Sequence, residues 1–234
     1  MPVNAQTDAS GFQPMWLSHE LAPSTPAYGG GRGLEIEADS SIAKGDSANT
    51  LRLTLPNHLG THVDVPAHFF VGARSLSDYG PSDWIFHRPT LVDVAVGDGE
   101  LVESRHISEH VSESADLVLI RTGHEATREG PNYWRAGPGL SAELGLWIRR
   151  HRPEVRAVGM DLISVTSRLR RVEGRGAHRA FLDPEGVGEP ILLIEDMKLG
   201  ACPEDIDHVL VSPLPLLEAD GAPVTVWCFS RGDG

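Results

Sequence analysis

The chain has 234 residues, of which 40% are hydrophobic and 23% are charged, a composition typical of one large globular domain or two small ones. Its formal net charge of −13 disfavours nucleic acids and anionic membranes as partners, because both attract basic protein surfaces. No apolar run approaches the roughly 20 residues that span a membrane, and the two cysteines form no disulfide framework.

The N-terminal segment is polar at first and lacks the basic and apolar regions of a secretory signal. We therefore expect a flexible tail over residues 1–14 and a single domain over residues 15–234. The sparse cysteines and the missing signal favour a cytoplasmic protein. Further along, residues 34–39 and 50–55 alternate apolar and polar side chains, which predicts two paired strands around a turn at 44–46.

The next stretch, NHLGTHVDVPAHFF at 57–70, concentrates side chains that bind metals and protons. His58, His62, Asp64 and His68 all have even numbers, and a strand points alternate side chains to opposite faces. One face would therefore carry all four groups while the other is mostly apolar. A helix is disfavoured, because this stretch contains a glycine, a proline and β-branched residues.

A straight strand would place His58 and Asp64 about 20 Å apart, whereas metal–ligand bonds are about 2 Å long. His62 and Asp64 are close enough to share an ion, but His58 can join them only if the chain turns at Gly60. Glycine permits such a turn because it lacks a Cβ. Single histidines are usually surface or core residues, but four ligand-type groups on one face favour a metal site.

The region from 90 to 161 shows alternating strand and helix patterns. The predicted elements are a strand at 90–96, a short helix at 105–113, a buried strand at 116–121, a helix at 140–151 and a strand at 155–161. The last three suggest a βαβ unit.

The segment 165–176 is rich in arginine in an otherwise acidic chain. An anion-binding loop is one interpretation, but a solvated, mobile insertion is the one we favour from the sequence. After it come an apolar run at 191–196 and a predicted hairpin at 206–229 around Asp220-Gly221.

The pattern H-x-G-T-H-x-D-x-P-x-H at 58–68 resembles the signature of the metal-dependent cyclase and kynurenine formamidase family, which also contains isatin hydrolase. A second element of that family resembles the stretch from His178 to an apolar strand that ends at Glu195. Shorter similarities extend the resemblance over about residues 15–230; they lie at 120–123, 138–141, 157–161 and 213–224.

The resemblance implies an α/β fold, the swivelling β/α/β domain with a central mixed sheet flanked by helices, and a homodimer or homotetramer. It also implies metal ligands at His58, His62 and Asp64, with His178 and Glu195 completing a second site and Asp64 bridging two ions. The gap between His178 and Glu195 is wider than the usual pattern, so Glu195 has an alternative interpretation as an exposed acid at a strand end.

These ligands suit Zn²⁺ or Mn²⁺, with one or two ions per chain. Such a metal lowers the pKa of bound water to about 7, and His68 is our candidate for the general base and acid. The resemblance points to hydrolysis of the carbon–nitrogen bond in a small aryl formamide or cyclic amide that resembles N-formylkynurenine. The alternative is a pathway-specific cyclase, or a metal- or ligand-binding protein without hydrolytic activity.

Overall fold

The computed structural model describes residues 11–231, and within that range it contains thirteen strands and three α-helices. The strands are β1 Phe12–Trp16, β2 Glu35–Ser40, β3 Thr50–Thr54, β4 His62–Asp64, β5 Ile85–Phe86, β6 Pro89–Asp93, β7 Leu101–Val102, β8 Leu117–Arg121, β9 Gly139–Leu140, β10 Ala157–Met160, β11 Leu192–Glu195, β12 Ile206–Pro213 and β13 Gly221–Arg231. The helices are α1 Asn132–Arg135, α2 Ala142–His151 and α3 Arg171–Leu182.

One large mixed sheet organises the chain. Its strand order is β5-β12-β13-β4-β11-β10-β8-β6, and β1 pairs with the far end of β13. The four strands from β11 to β6 are parallel, whereas β4, β13, β12 and β5 pair antiparallel with their neighbours. Helices α2 and α3 cover the parallel part. The predicted α/β fold with a central mixed sheet flanked by helices is therefore confirmed.

The predicted βαβ unit and hairpins are present. Strand β8, helix α2 and strand β10 form a parallel crossover, and the Ser141 side chain caps α2 by accepting a hydrogen bond from the Leu144 amide. Strands β12 and β13 form the predicted C-terminal hairpin. Strands β2 and β3 pair as expected, and they form a separate two-stranded ribbon.

Different parts of the chain pack on the two faces of the parallel strands. Val118 and Ile120 of β8 pack into a core with residues of α2 and α3, while Leu117 and Leu119 pack on the opposite face against β12 and β13. Burying each of these side chains contributes roughly 1.5–3 kcal/mol. A strand covered on both sides explains the uninterrupted apolar run in this part of the sequence.

Three local predictions differ from the structure. Residues 12–14 of the expected tail lie in β1 and pair with β13, whereas residues 1–10 lie outside the described residues. The predicted helix at 105–113 is only a 3-10 turn at Ser104–His106 followed by further single turns. Its β-branched and serine-rich sequence does not favour a longer helix.

The segment 165–176 is the third difference. It is not a mobile insertion, because a 3-10 turn at Arg168–Arg170 leads directly into α3. Gly174 lies so close to Thr166 that a Cβ there would collide with the threonine side chain. Along residues 11–231, no helix is long and apolar enough to cross a membrane.

Candidate metal centre

The register between β4 and β11 brings three predicted ligands to one place. His62 of β4 is the partner of Glu195 in β11, and Asp64 is the partner of Leu193. Val63 points into the opposite core, so the alternation of a strand turns His62 and Asp64 toward α3. Glu195 is 3% exposed, which excludes its alternative interpretation as an exposed strand-end acid.

His178 reaches the same point from α3. Its Nε2 lies 3.6 Å from Asp64 Oδ2 and 3.4 Å from Glu195 Oε1. His62 Nε2 lies 3.5 Å from Asp64 Oδ1 and 3.3 Å from Glu195 Oε2. Two imidazoles and two carboxylates therefore surround one small buried volume.

The other ring nitrogen of each histidine is held by the backbone. His62 Nδ1 donates to the Gly60 carbonyl over 2.8 Å, and His178 Nδ1 donates to the Gly174 carbonyl over 3.0 Å. A carbonyl can only accept, so each neutral imidazole presents a lone pair on Nε2 to the carboxylates. Backbone orientation of this kind is common for histidines that bind metals.

His58 reaches the group through the turn that the sequence predicted at Gly60, which has a φ of +67°. Its Nδ1 lies 2.8 Å from Asp64 Oδ1. His68 arrives from another direction, because Pro66 begins a 3-10 turn at Pro66–His68. His68 Nε2 is 4.0 Å from Asp64 Oδ2, so His68 is farther from the carboxylate than His58 is.

Asp220 is a site residue that the sequence analysis assigned only to a turn. Its Oδ2 lies 2.7 Å from His68 Nδ1 and 3.1 Å from His58 Nε2, and its Oδ1 accepts from the Asn57 amide over 2.7 Å. Gly221 makes room for this approach, because a Cβ there would lie 2.6 Å from His58 Cε1. The only indication of Asp220 in the sequence was its position beside a glycine, just before a strand.

The donor set fits a divalent metal. The Nε2 lone pairs of neutral His62 and His178 face the acceptor oxygens of Asp64 and Glu195, and such a group needs a cation or protons to be stable. Two ligands that are each about 2.1 Å from a tetrahedral ion lie about 3.4 Å apart, which matches the nitrogen–oxygen distances of 3.3–3.6 Å. Asp64 also belongs to a second possible ligand group with His58 and His68.

In the metal-free protein, the carboxylates and the imidazoles of this group shift one another's pKa values so that each charged form is favoured. Burial alone would lower the pKa of His178, but Asp64 and Glu195 outweigh it and raise this pKa to about 10. The same two carboxylates outweigh burial at His62 and raise its pKa to about 9. Burial and Asp64 would raise the pKa of Glu195, but the two histidines lower it to about 2. The pKa of Asp64 also falls well below its usual value, since His178 and His58 outweigh burial.

A cavity of about 370 Å³ opens beside the ligands. Phe69 lines it and stacks on His178, with ring centroids 4.6 Å apart and planes at 15°. Tyr28, Arg171 and Arg175 also line the cavity; the sequence gave no role to Tyr28 and offered only an anion-binding loop, as the less favoured interpretation, for the segment of the two arginines. All six side chains that the sequence proposed as ligands or catalyst lie at this cavity, and their individual roles remain predictions.

A family model and a relative of known name match the sequence. A family model described as "Putative cyclase" matches residues 15–167. The chain is 26% identical to the kynurenine formamidase of Delftia acidovorans (strain DSM 14801 / SPH-1) over 90% of this chain and 94% of that protein.

Two solved structures share the fold. Isatin hydrolase A from Labrenzia aggregata, bound to benzyl benzoate, superposes with a TM-score of 0.75 at 16% identity and covers 95% of each chain. A protein described as a "predicted metal-dependent hydrolase from Bacillus stearothermophilus" gives a TM-score of 0.74 at 19% identity, over 94% of this chain and 99% of that one.

Proposed function

Because the chain belongs to the cyclase family, whose model matches residues 15–167, we propose that it is a metal-dependent hydrolase of small aryl amides. The bond cleaved is the carbon–nitrogen bond of an aryl formamide or a cyclic amide of similar size. The observation that carries this proposal is the pairing of a buried ligand group with a histidine, His68, that lies beside it at the cavity. The similarity to a kynurenine formamidase supports the substrate class.

The proposed metal ligands are the side chains that surround Asp64. His62, His178 and Glu195 would hold one ion with Asp64, and His58 would join Asp64 at a second ion if two are bound. Nitrogen and oxygen ligands of this kind suit Zn²⁺ or Mn²⁺. When bound, such a metal supplies a more acidic water and polarises the amide carbonyl.

His68 is the proposed general base and acid. Asp220 accepts a hydrogen bond from His68 Nδ1 over 2.7 Å, so the neutral imidazole has its lone pair on Nε2, free to take a proton from the attacking water. His68 then gives this proton to the departing amine nitrogen while the carbon–nitrogen bond breaks. The products are formate and an aryl amine when the substrate is a formamide.

The cavity supports the proposal of an aromatic substrate. A volume of about 370 Å³ is within the range for small-molecule sites. Phe69 and Ile163 give it apolar walls, and Phe69 is held in place by its stack on His178. An aryl ring against Phe69 would place the attached amide near Asp64.

The test compares metal-free protein with protein reloaded with Zn²⁺ or Mn²⁺, using formanilide, N-formylkynurenine and isatin as substrates. We expect hydrolysis of at least one of them only in the reloaded protein, together with one or two ions per chain. Tight metal binding without hydrolysis of any amide would contradict the hydrolase and favour the cyclase or ligand-binding alternative. Failure to bind either ion would contradict the metal site itself.

We also propose that the protein is a homodimer in which the β2–β3 ribbon contacts a second copy. This ribbon has five exposed residues in each strand and presents Ile36, Leu51 and Leu53 to solvent, with Leu51 64% exposed. Contiguous exposed apolar side chains of this kind usually mark an interface. Light scattering should give a dimer mass for the parent protein and a monomer mass for Leu51→Asp/Leu53→Asp.

Val71→Asp is the matched control for the dimer, because Val71 is a fully exposed apolar residue outside the ribbon. It should leave the dimer intact. A monomeric parent protein, or a ribbon variant that stays dimeric, would contradict this arrangement.

A further inference from the structure

Two arginines of α3 share a stripe with the proposed ligand His178. Arg171, Arg175 and His178 are spaced i, i+4 and i+7, the spacing of one helix face. All three line the same cavity. At 1.5 Å per residue, Arg175 is about 4.5 Å and Arg171 about 10.5 Å along the helix axis from His178. The arginines therefore lie along one wall of the cavity, away from the ligand group.

These two arginines have no acidic partner in the described part of the chain. Other arginines do: Arg170 pairs with Glu173, Arg121 with Asp93 and Arg128 with Asp196. For Arg171 and Arg175 no carboxylate within residues 11–231 lies at ion-pair distance, although the whole chain carries a net charge of −13. The side-chain hydrogen bond found for Arg175 is to the Arg171 carbonyl, at 3.4 Å. Two unpaired cations beside a cavity are suited to an anionic ligand.

Tyr28 provides an independent indication of a polar ligand. Its hydroxyl oxygen is buried, lines the same cavity, and has no hydrogen-bond partner among the described residues. Buried hydroxyls normally have a partner, so an unpaired one beside a cavity suggests that a ligand completes it. Burial raises the pKa of Tyr28 against the opposing charges of Arg171 and Arg168, so the hydroxyl stays a donor at neutral pH.

The chain segment that carries Tyr28 lies against the arginine-rich segment. A Cβ on Gly29 would lie 3.1 Å from Arg168 Nη1, so this arginine abuts the backbone next to Tyr28. The guanidinium of Arg168 also lies 5.5 Å from the ring of Trp134. The segment of Tyr28 and the arginine-rich segment are therefore in contact.

We propose that the substrate carries a carboxylate, which Arg171 and Arg175 bind and to which Tyr28 donates a hydrogen bond. This inference rests on the proposed hydrolase function and narrows its substrate to aryl amides with an anionic group several ångströms from the amide. The aryl ring lies between the two ends, against Phe69. The reacting amide is then placed at Asp64 while the carboxylate stays at the arginines.

The experiment uses substrates that differ mainly in charge. Reloaded protein is given 4-formamidobenzoate and its neutral analogue 4-formamidobenzamide, and kcat and KM are measured for each. The variants are Arg171→Gln/Arg175→Gln and Tyr28→Phe. Arg170→Gln is the control, because it removes a positive charge from the same segment at a residue that does not line the cavity.

We expect the parent protein to prefer the carboxylate substrate about tenfold in kcat/KM, as expected for charge-assisted hydrogen bonds. The double variant should lose this preference through a higher KM for the carboxylate alone, while Arg170→Gln keeps it. Tyr28→Phe should lose part of it. Metal content should be the same in all variants.

A direct binding measurement separates this inference from the proposed function. The dissociation constant of 4-aminobenzoate should rise about tenfold in the double variant, and that of 4-aminobenzamide should not change. Hydrolysis of both formamides without a charge preference would overturn the inference and leave the hydrolase intact. Failure to hydrolyse these two formamides and also formanilide, N-formylkynurenine and isatin would contradict the hydrolase. Equal binding of 4-aminobenzoate by the parent and the double variant would overturn the inference independently.

Discussion

Asp220 Oδ2 accepts a hydrogen bond from His68 Nδ1 over 2.7 Å, although the two residues are 152 positions apart in the chain. The same oxygen lies 3.1 Å from His58 Nε2, so one carboxylate orients both the proposed base and a proposed ligand. A carboxylate on one imidazole nitrogen fixes which nitrogen is left for chemistry. We therefore expect Asp220 to be a positioning residue for His68.

Asp220→Asn should lower kcat by about tenfold to a hundredfold and leave KM and metal content nearly unchanged. The amide keeps the shape of the side chain but no longer presents a full negative charge to Nδ1, so the orientation of His68 is less strictly fixed. Steady-state kinetics beside metal analysis measures this split. Asp207→Asn is the matched control, because Asp207 contacts His208 at 2.9 Å on β12, outside the cavity lining. Equal kinetics in both variants would remove Asp220 from the mechanism.

His68→Ala should keep near-full metal occupancy and lose about 10²–10⁴-fold in kcat/KM, the range for a group that transfers protons. The expectation follows from geometry: His68 Nε2 lies 4.0 Å from Asp64, farther than the nearest nitrogens of His58, His62 and His178. Metal analysis and kinetics of this one variant show whether His68 transfers protons or binds the metal. Loss of the ion would make His68 a ligand, and an unchanged rate would make it a bystander.

Asp64→Ala should abolish metal binding and activity together, whereas His178→Ala should weaken metal binding and leave the protein folded. The difference follows from position, since Asp64 contacts His58, His62 and His178 and belongs to both possible ligand groups. Metal titration with circular dichroism of each variant measures affinity and fold. Full metal content in Asp64→Ala would disprove the site, and parental affinity in His178→Ala would remove His178 from it.

The free energy of unfolding of the metal-free protein should fall as pH rises from about 6.5 to 10. His62 and His178 have folded pKa values of about 9 and about 10, above the ordinary value of 6.5, so their protonated forms stabilise the fold at lower pH. That stabilisation is complete below pH 6.5 and is lost as pH passes the folded values.

Urea unfolding in the presence of a chelator, at pH values from 6 to 10, measures this dependence. His178→Gln should reduce it, because the variant keeps the His62 imidazole but has lost that of His178. In the opposite direction, Asp64 and Glu195 have lowered pKa values, so the stabilisation that their charges provide is lost in acid. If the stability of the metal-free protein is constant between pH 6.5 and 10, His62 and His178 are not stabilised in their protonated forms.

Several elements follow from the sequence alone because their causes are local. Alternation of His62, Val63 and Asp64 places both ligands on one face, and Gly60 provides the turn that brings His58 to them. Helix α2 follows from its apolar spacing and its cap at Ser141. In each case the determining residues lie within one turn or one strand of the feature.

The remaining parts of the site depend on which strands and helices meet. Glu195 becomes the partner of His62 only through the antiparallel register of β11 and β4, which is set by burying the apolar faces of both strands. Asp220 looked like an ordinary turn residue, yet pairing of β13 with β4 carries it to His68. The segment at 165–176 looked mobile because its arginines are polar. It instead forms the start of α3, whose Phe181 packs against Gly145 of α2, a contact between distant parts of the chain that no local pattern contains. Arg171 and Arg175 of this helix line the cavity.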